Sequence, residues 1–266
     1  MFSTLQGLVE KLPFRNLLTK VWSRGWFPRL LRFTLTYVLP DGNKLVFKWP
    51  SQVKIVIDDV YVKAEYDRFW DIRQGFKVLD VGAYIGVYTL KAAKKAGSQG
   101  RVISVEPEEE NFRFLLKNIE INEFNNIIPV KAALSDFDGN GLLYLSAYGS
   151  GEHSMLPRSQ KKIIVPVRTV DGLMRTLRMD SVDVMKIDVE GAEIQVLKGS
   201  NQMLKEHRIR NIVVAAYHYP DECNEVTNFL TPFNYRVVVD RSYLYAILRE
   251  EYSDLPCKGS GARQRL

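Results

Sequence analysis

Residues 77–86, Lys-Val-Leu-Asp-Val-Gly-Ala-Tyr-Ile-Gly, decide the fold of this chain. Their apolar start is typical of a buried strand, and the glycines that follow predict a turn into a helix over residues 86–96. A second apolar run over residues 101–105 ends on an acid, Glu106. A βαβ unit with an acid at the tip of its second strand is typical of a site that binds the ribose of a nucleoside cofactor.

The turn itself discriminates between nucleoside cofactors. A dinucleotide site needs a second glycine so that the backbone can approach a pyrophosphate, but this chain has Tyr84 there, between Gly82 and Gly86. Asp80 ends the strand just before the turn, where its charge would repel a phosphate and attract a cation. These residues favour a cofactor with a cationic, phosphate-free tail, which describes S-adenosylmethionine and not NAD.

Strand and helix patterns alternate along the rest of the chain. Strands are predicted near residues 77–81, 101–105, 127–133, 182–187 and 210–217, and helices near 86–96, 108–121, 169–178, 191–206 and 221–231. Only two residues separate the apolar runs 235–240 and 243–248, so these strands must pair antiparallel. The pattern predicts an α/β fold with a doubly wound, mostly parallel sheet and an antiparallel C-terminal hairpin.

Three regions of different character divide the chain. Residues 1–75 are predicted to form a cap of helix and hairpin, residues 76–250 the cofactor-binding domain, and residues 251–266 a disordered tail. Within the cap, residues 33–48 alternate about an Asp-Gly turn and predict the hairpin. Residues 14–33 combine arginines with apolar residues at helical spacing, and two interpretations stay open: a helix packed on the domain, or one that contacts a membrane surface or a partner.

Composition narrows the classes of protein that the chain can belong to. Its 266 residues are 46% hydrophobic and 26% charged, as in folded globular proteins. Two cysteines are too few for a disulfide framework and lack zinc-ligand spacing, and no run approaches the roughly 20 apolar residues of a membrane helix. No signal-peptide pattern is present, so we expect a cytoplasmic protein, located at the membrane surface if residues 14–33 bind there. The net charge of +6 is modest and does not require a nucleic-acid partner.

Acids and histidines gather where the later strands end. Asp188, Glu190 and Glu193 follow the fourth parallel strand, and His218 follows the fifth at the same edge. A histidine there is a candidate general base, with Glu190 as the alternative and His153 as a weaker one. The simpler interpretation is that the acids stabilise the N-terminus of the next helix. A divalent ion held by Asp188, Glu190 and His218 is chemically feasible, but the sequence does not establish it, so no metal ligand is assigned.

These segments together resemble the FkbM-type family of S-adenosylmethionine-dependent methyltransferases. The matching segments are residues 80–90, 105–107, Asn118 with Asn122, 132–136, 186–193 and 197–199. The resemblance extends over roughly Tyr61 to Glu250 and implies a seven-stranded, Rossmann-like sheet and methylation of a hydroxyl on a sugar or a polyketide-like product. The chain departs from the family pattern at Tyr84, where asparagine is usual, and near His218, where the family commonly has a glutamate.

Residue assignments follow from the strand ends and from the resemblance. The cofactor-binding residues are predicted to be Asp80, Gly82, Ala83, Tyr84, Gly86, Glu106, Pro107, Ala133 and Asp188. The catalytic residues are predicted to be Asp188, Glu190 and His218. The expected function is O-methylation of a small-molecule or glycan acceptor, with no nucleic-acid partner. Two alternatives remain: a protein that binds S-adenosylmethionine without transferring its methyl group, and a nucleic-acid methyltransferase. The sequence does not indicate an oligomeric state.

Overall fold

The computed structural model of the chain describes residues 33–49, 51–146, 151–157 and 159–249. The chain divides into two compact units, of which the larger comprises Thr36–Phe47 and Ser51–Leu266. Only the outer ends of two strands are described in the smaller unit. The predicted N-terminal helix and the predicted tail lie outside the described residues, as does the proposed membrane contact of residues 14–33 apart from Phe33.

Twelve strands are present in the described part of the chain. They are β1 (Phe33–Val38), β2 (Lys44–Trp49), β3 (Lys77–Val81), β4 (Arg101–Val105), β5 (Ile127–Val130), β6 (Ala133–Leu134), β7 (Gly139–Tyr144), β8 (Lys162–Arg168), β9 (Val182–Ile187), β10 (Ile209–Ala215), β11 (Tyr235–Asp240) and β12 (Tyr243–Leu248). Strands β1 and β2 form the predicted hairpin about the Asp41-Gly42 turn, where Gly42 has a φ of 88°.

A seven-stranded sheet forms the centre of the larger unit, in the order β11-β12-β10-β9-β3-β4-β5. Pairing is parallel from β10 through β5, whereas β12 pairs antiparallel with both β10 and β11. The structure confirms the predicted seven-stranded, doubly wound sheet with its antiparallel C-terminal hairpin. Side chains on successive positions of β3, β4 and β9 are buried, which is the pattern of a sheet covered on both faces.

Short helices follow most of the parallel strands. The α-helices are α1 (Val53–Ile57), α2 (Val87–Ala96), α3 (Glu109–Ile121), α4 (Val170–Thr176), α5 (Glu193–Lys198), α6 (Asn201–Lys205) and α7 (Glu222–Leu230). The single helix predicted over 191–206 is divided into α5 and α6. At the break, a Cβ on Gly199 would lie 2.0 Å from the carbonyl oxygen of Ser135, so the backbone approaches its neighbour too closely for any other residue. No helix within the described residues is long and apolar enough to cross a membrane.

A second sheet lies beside the main one, with the order β6-β8-β7. The sequence predicted one strand over residues 127–133, but β5 ends at Val130 and Ala133 pairs with Val167 of β8 instead. Strand β8 buries Val165 and Val167, which pack with Leu143 of β7 in a small apolar cluster. This local core draws Ala133 away from the main sheet, which is why the predicted strand was too long.

Asn118 of α3 and Asn122, which caps its C-terminus, bond the part of β2 that lies in the larger unit to the rest of that unit. Asn118 accepts a hydrogen bond from the Val46 amide at 2.6 Å and donates to the carbonyls of Val46, at 3.0 Å, and Ile85, at 2.8 Å. Asn122 makes a similar pair of bonds with the backbone of Lys44. The amide side chains therefore substitute for a neighbouring strand and tie β2 to the loop before α2.

The chain order of the strands reverses between β3 and β9. From β3 the chain proceeds to β4 and β5 on one side, whereas β9 and β10 lie on the other. Doubly wound sheets bind ligands at such a switch point, in the crevice outside the carboxyl ends of the strands. The topology therefore places the ends of β3 and β9, at Val81 and Ile187, on either side of the expected site.

Candidate active site

A cleft opens at the switch point. Its lining residues are Val81, Gly82, Tyr84, Val105, Glu106, Pro107, Asn111, Ala132, Ala133, Leu134, Leu143, Gly151, His153, Met155, Asp188, Val189, Glu190 and Ala192. The lining includes most of the predicted cofactor residues. It does not include Asp80, Ala83 or Gly86, nor the predicted catalytic residue His218.

The turn after β3 passes close to the end of β9. A Cβ on Gly82 would lie 1.8 Å from the carbonyl oxygen of Asp188, and Gly82 has a φ of 76°. Only glycine combines this close approach with this backbone conformation. The amides of Gly82 and Ala83 both donate to the Val105 carbonyl at 3.0 Å, so the turn is also fixed to β4. Ala83 does not line the cleft, and its contact with the cofactor stays a prediction.

Tyr84 and Glu190 are strained residues that both line the cleft. Their φ values are 53° and 60°, in the left-handed region that residues other than glycine rarely adopt. Gly86, with a φ of 94°, has a different task, because a Cβ there would lie 2.7 Å from Leu115 of α3. Gly86 thus permits close packing under the turn, whereas the strain at Tyr84 and Glu190 occurs where a ligand would be held.

Glu106 is buried beside the cleft and its orientation is fixed by several donors. Its carboxylate accepts hydrogen bonds from the Tyr84 amide at 3.0 Å, the Glu108 amide at 3.0 Å and the Asn111 side chain at 3.4 Å. Burial raises the pKa of Glu106 to about 7, and these hydrogen bonds oppose the rise. Asn111 was not predicted from the sequence, because there it is only one polar residue in the first turn of α3.

Asp80 lies below the turn and its carboxylate faces a cation of the protein itself. One oxygen accepts a hydrogen bond from the Thr89 hydroxyl at 2.6 Å, and the other lies 3.1 Å from the Lys186 ammonium. Both charged side chains are almost fully buried. A direct contact of Asp80 with the cofactor stays a prediction, because the structure gives its charge another partner.

Asp188 lies at the edge of the cleft, where its backbone amide bonds to the Val81 carbonyl at 3.1 Å. One carboxylate oxygen accepts a hydrogen bond of 2.7 Å from the hydroxyl of Tyr66. Burial, and secondly the charge of Asp188, raise the pKa of Tyr66 well above its ordinary value, so this phenol remains a donor. Tyr66 was not predicted from the sequence, because it precedes Asp188 by more than a hundred residues.

His218 is enclosed by four carboxylates. Its Nε2 lies 3.8 Å from Asp188 and 3.6 Å from Glu190, and its Nδ1 lies 3.3 Å from Glu193 and 3.5 Å from Glu222. Its side chain is 3% exposed. Burial lowers the pKa of His218, but the surrounding carboxylates, Glu222 first, outweigh this and raise it to about 9. The imidazole therefore retains its proton at neutral pH.

Of the two buried acids of this cluster, Glu193 is the one that holds a proton and Glu222 is the one that is ionised. Burial and the neighbouring Glu222 raise the pKa of Glu193 well above its ordinary value. Burial also raises the pKa of Glu222, but hydrogen bonds from His218 and Glu193 outweigh it and lower the pKa overall. The Glu222 carboxylate accepts a 2.7 Å bond from the His218 amide. Glu222, which was not assigned from the sequence, is thus the anion that holds His218 in place.

Two sets of these groups have the spacing of metal ligands within the described chain. They are Asp188, Glu190 and His218, and Glu193, His218 and Glu222, in each of which the ligand atoms lie within 4.8 Å of one another. The assignment of no metal ligand stays a prediction.

His153, the weaker histidine candidate, lines the cleft. Its Nδ1 accepts a hydrogen bond from the Ser146 amide at 3.0 Å, and burial lowers its pKa, so its imidazole is neutral at neutral pH. The two histidines therefore differ in state: His153 is neutral and faces the cleft, whereas His218 is protonated and lies behind Asp188 and Glu190.

Residues 80–237 match the family model described as "Methyltransferase FkbM domain". The chain is 27% identical over 155 residues to the hexuronic acid methyltransferase AglP of Haloferax volcanii, which covers 57% of this chain and 60% of that protein. It is 39% identical over 90 residues to ribosomal RNA large subunit methyltransferase E of Nitratidesulfovibrio vulgaris, which covers 29% and 44%.

Among solved structures, a SAM-dependent methyltransferase from Aquifex aeolicus superposes with a TM-score of 0.42 at 18% identity, over 72% of this chain and 89% of that one. The chain spans less than two thirds of the length of either curated relative.

Proposed function

Because the chain belongs to the FkbM methyltransferase family, whose cofactor is S-adenosylmethionine, we propose that it transfers the methyl group of this cofactor to a hydroxyl of a sugar, a glycan or a similar small polar acceptor. The observation that carries the proposal is a cleft with Glu106 among its lining residues at the end of β4 and Asp188 and Glu190 at the end of β9. The first acid suits the ribose hydroxyls, and the other two suit an acceptor hydroxyl.

We assign the cofactor to the side of the cleft formed by Gly82, Tyr84, Glu106, Pro107 and Ala133. Ionised, Glu106 can accept hydrogen bonds from ribose hydroxyls, and charge-assisted bonds of this kind contribute roughly 1.5–3 kcal/mol each. Small side chains at Ala132 and Ala133 leave room for a flat adenine ring. Asp188 then lies at the boundary between cofactor and acceptor.

Glu190 is the group that we assign as general base. Methyl transfer forms a bond from the acceptor oxygen to carbon and breaks the bond from carbon to sulfur, so the sulfonium becomes a neutral thioether. The hydroxyl proton must leave during this step, and Glu190 lines the cleft where it can accept it. His218, the other predicted base, already holds a proton and is shielded from the cleft. We therefore give it the task of positioning Glu190 and Asp188.

A small acceptor is favoured over a nucleic acid by the charge of the cleft. None of the described lining residues is lysine or arginine, whereas nucleic-acid binding relies on cations that contact phosphates. AglP, to which the chain is similar, acts on a hexuronic acid by its name, which supports a sugar acceptor. The similarity to an RNA methyltransferase extends over only 29% of this chain.

The proposal is tested by titration and then by transfer. Calorimetry with S-adenosylmethionine and, in parallel, NADH should give micromolar binding of the first alone. Methyl-labelled S-adenosylmethionine is then offered with neutral glycosides, hexuronates, lipid-linked sugars and RNA. Label in a sugar product supports the proposal, and label in RNA contradicts the acceptor assignment. Binding without any labelled product would instead favour a cofactor-binding protein with no transfer activity.

A further inference from the structure

Lys186 is a lysine on a central strand whose side chain is almost fully buried. It belongs to β9, and its side chain is 5% exposed. Its ammonium lies 3.1 Å from Asp80, the last acid of β3, and 5.4 Å from the centre of the Tyr66 ring. The far oxygen of Asp80 is bonded to Thr89 of α2. The pair thus connects two strands and a helix below the cleft.

The same ammonium bonds directly to the turn that borders the cleft. It donates to the Gly82 carbonyl at 2.6 Å and lies 3.4 Å from the Val81 carbonyl. The amide of Gly82 donates to Val105 of β4. Both backbone groups of Gly82 are therefore held, the N–H by β4 and the C=O by β9, which leaves the turn a single orientation.

A buried ion pair is weak evidence for stability. Removing two charges from water costs about as much as their attraction returns, and well-packed apolar residues often stabilise a fold equally well. A pair at this position therefore calls for an explanation other than stability. Its contact with Gly82 supplies one, because an apolar side chain could not bond to the carbonyl.

We propose that Lys186 positions the cofactor turn through the carbonyl of Gly82, and that Asp80 neutralises Lys186 so that a cationic cofactor can bind beside it. This assigns Asp80 an indirect task in place of the direct contact with the cofactor that its position at the strand end suggested. The inference rests on the proposed placement of the cofactor in the cleft.

A comparison of the cofactor with its demethylated product provides a test that responds to charge. S-adenosylmethionine carries a sulfonium charge that S-adenosylhomocysteine lacks, and the two are otherwise alike except for the methyl group. A lone ammonium near the turn would disfavour the first ligand only, while a loss of positioning would weaken both. The ratio of their dissociation constants therefore separates electrostatic from structural effects.

The experiment measures both dissociation constants by calorimetry for the wild type, Asp80→Asn, Lys186→Met and the double variant. In Asp80→Asn the ratio of the S-adenosylmethionine constant to the S-adenosylhomocysteine constant should rise on the order of tenfold, and in Lys186→Met it should fall. In the double variant it should return towards the wild-type value, with both ligands bound more weakly because the turn is no longer held. Glu120→Gln, which disrupts an exposed ion pair with Lys117 on α3, is the control and should change neither constant.

An unchanged ratio in the folded single variants would overturn the electrostatic part of the inference. Wild-type affinities in the double variant would overturn the positioning part. Circular dichroism checks folding, and the double variant still decides the positioning part if a single variant with one lone buried charge does not fold. Failure of the wild type to bind either ligand would instead overturn the cofactor placement itself, together with this inference.

Discussion

The β3–β4 and β9–β10 sides of the cleft are held by different forces. On the β3–β4 side, Gly82, Tyr84 and Glu106 are fixed mainly by backbone amides and by one close approach of two chain segments. On the β9–β10 side, Asp188 and His218 are held by a phenol and by a ring of carboxylates. Apart from Glu106, the first side therefore depends on backbone shape, whereas the second depends on protonation. Substitutions that add atoms should damage the first most, and changes of charge or pH the second.

The largest effect is expected from Gly82→Ala. Its new Cβ would lie 1.8 Å from the Asp188 carbonyl oxygen, so the turn must move, and we expect loss of measurable cofactor binding. Gly75→Ala is the matched control, because Gly75 has a similar φ of 82° but nothing within 4 Å of an added Cβ. It should lower the free energy of unfolding by about 1 kcal/mol and leave binding intact. Calorimetry and denaturant unfolding measure both; normal binding by Gly82→Ala would refute the close approach.

The next effect concerns the proposed base. Glu190→Gln keeps the size of the side chain and removes its ability to take a proton, so kcat should fall by about 10²–10⁴-fold while the dissociation constant of the cofactor changes little. Glu225→Gln, on the exposed side of α7, is the control and should be as active as the wild type. Initial rates with labelled cofactor provide the measurement. Full kcat in Glu190→Gln would mean that another group is the general base, and the neutral His153 would be the next candidate.

A smaller effect is expected at the ribose. Glu106→Gln retains an acceptor oxygen but loses the charge, and removal of charge-assisted bonds of roughly 1.5–3 kcal/mol should weaken cofactor binding about tenfold to a hundredfold. Glu109→Gln, an exposed substitution on the same helix-start segment, serves as the comparison and should bind normally. Calorimetric titration measures the cofactor affinity of both variants. Equal affinities would show that Glu106 does not bind the ribose.

The smallest effect is expected in the pH dependence of the free energy of unfolding. His218 has a folded pKa of about 9, above the ordinary value of 6.5. Its contribution is therefore fully present below about pH 6.5 and is lost as pH rises through 9. Glu106 and Glu193 also have raised pKa values and change stability in the same direction, so the comparison with His218→Gln isolates the histidine between pH 7 and 9. There the free energy of unfolding should fall by on the order of 2 kcal/mol, and His218→Gln should remove most of this slope. A slope unchanged in the variant would show that the carboxylates do not raise this pKa.

Much of the fold follows from local patterns. The apolar runs and the short gap between residues 235–240 and 243–248 predicted the strands and their hairpin, because side-chain periodicity and connection length are local properties. The end of β5 was misplaced for the opposite reason. Ala133 joins β8 through Val167, which lies more than thirty residues away, and no local pattern indicates that pairing.

By itself, the sequence determined the class of sheet, the glycine turn, and the presence of acids at the ends of β4 and β9. These depend on residue type and order, and parallel strands carry such residues to one edge. Only the tertiary structure decided how the charges are paired. It joined Tyr66 to Asp188, Lys186 to Asp80, and Glu193 and Glu222 to His218. Protonation depends on burial and on neighbours that are distant in the chain, so the charge of His218, and with it the choice of base, could come only from the folded protein.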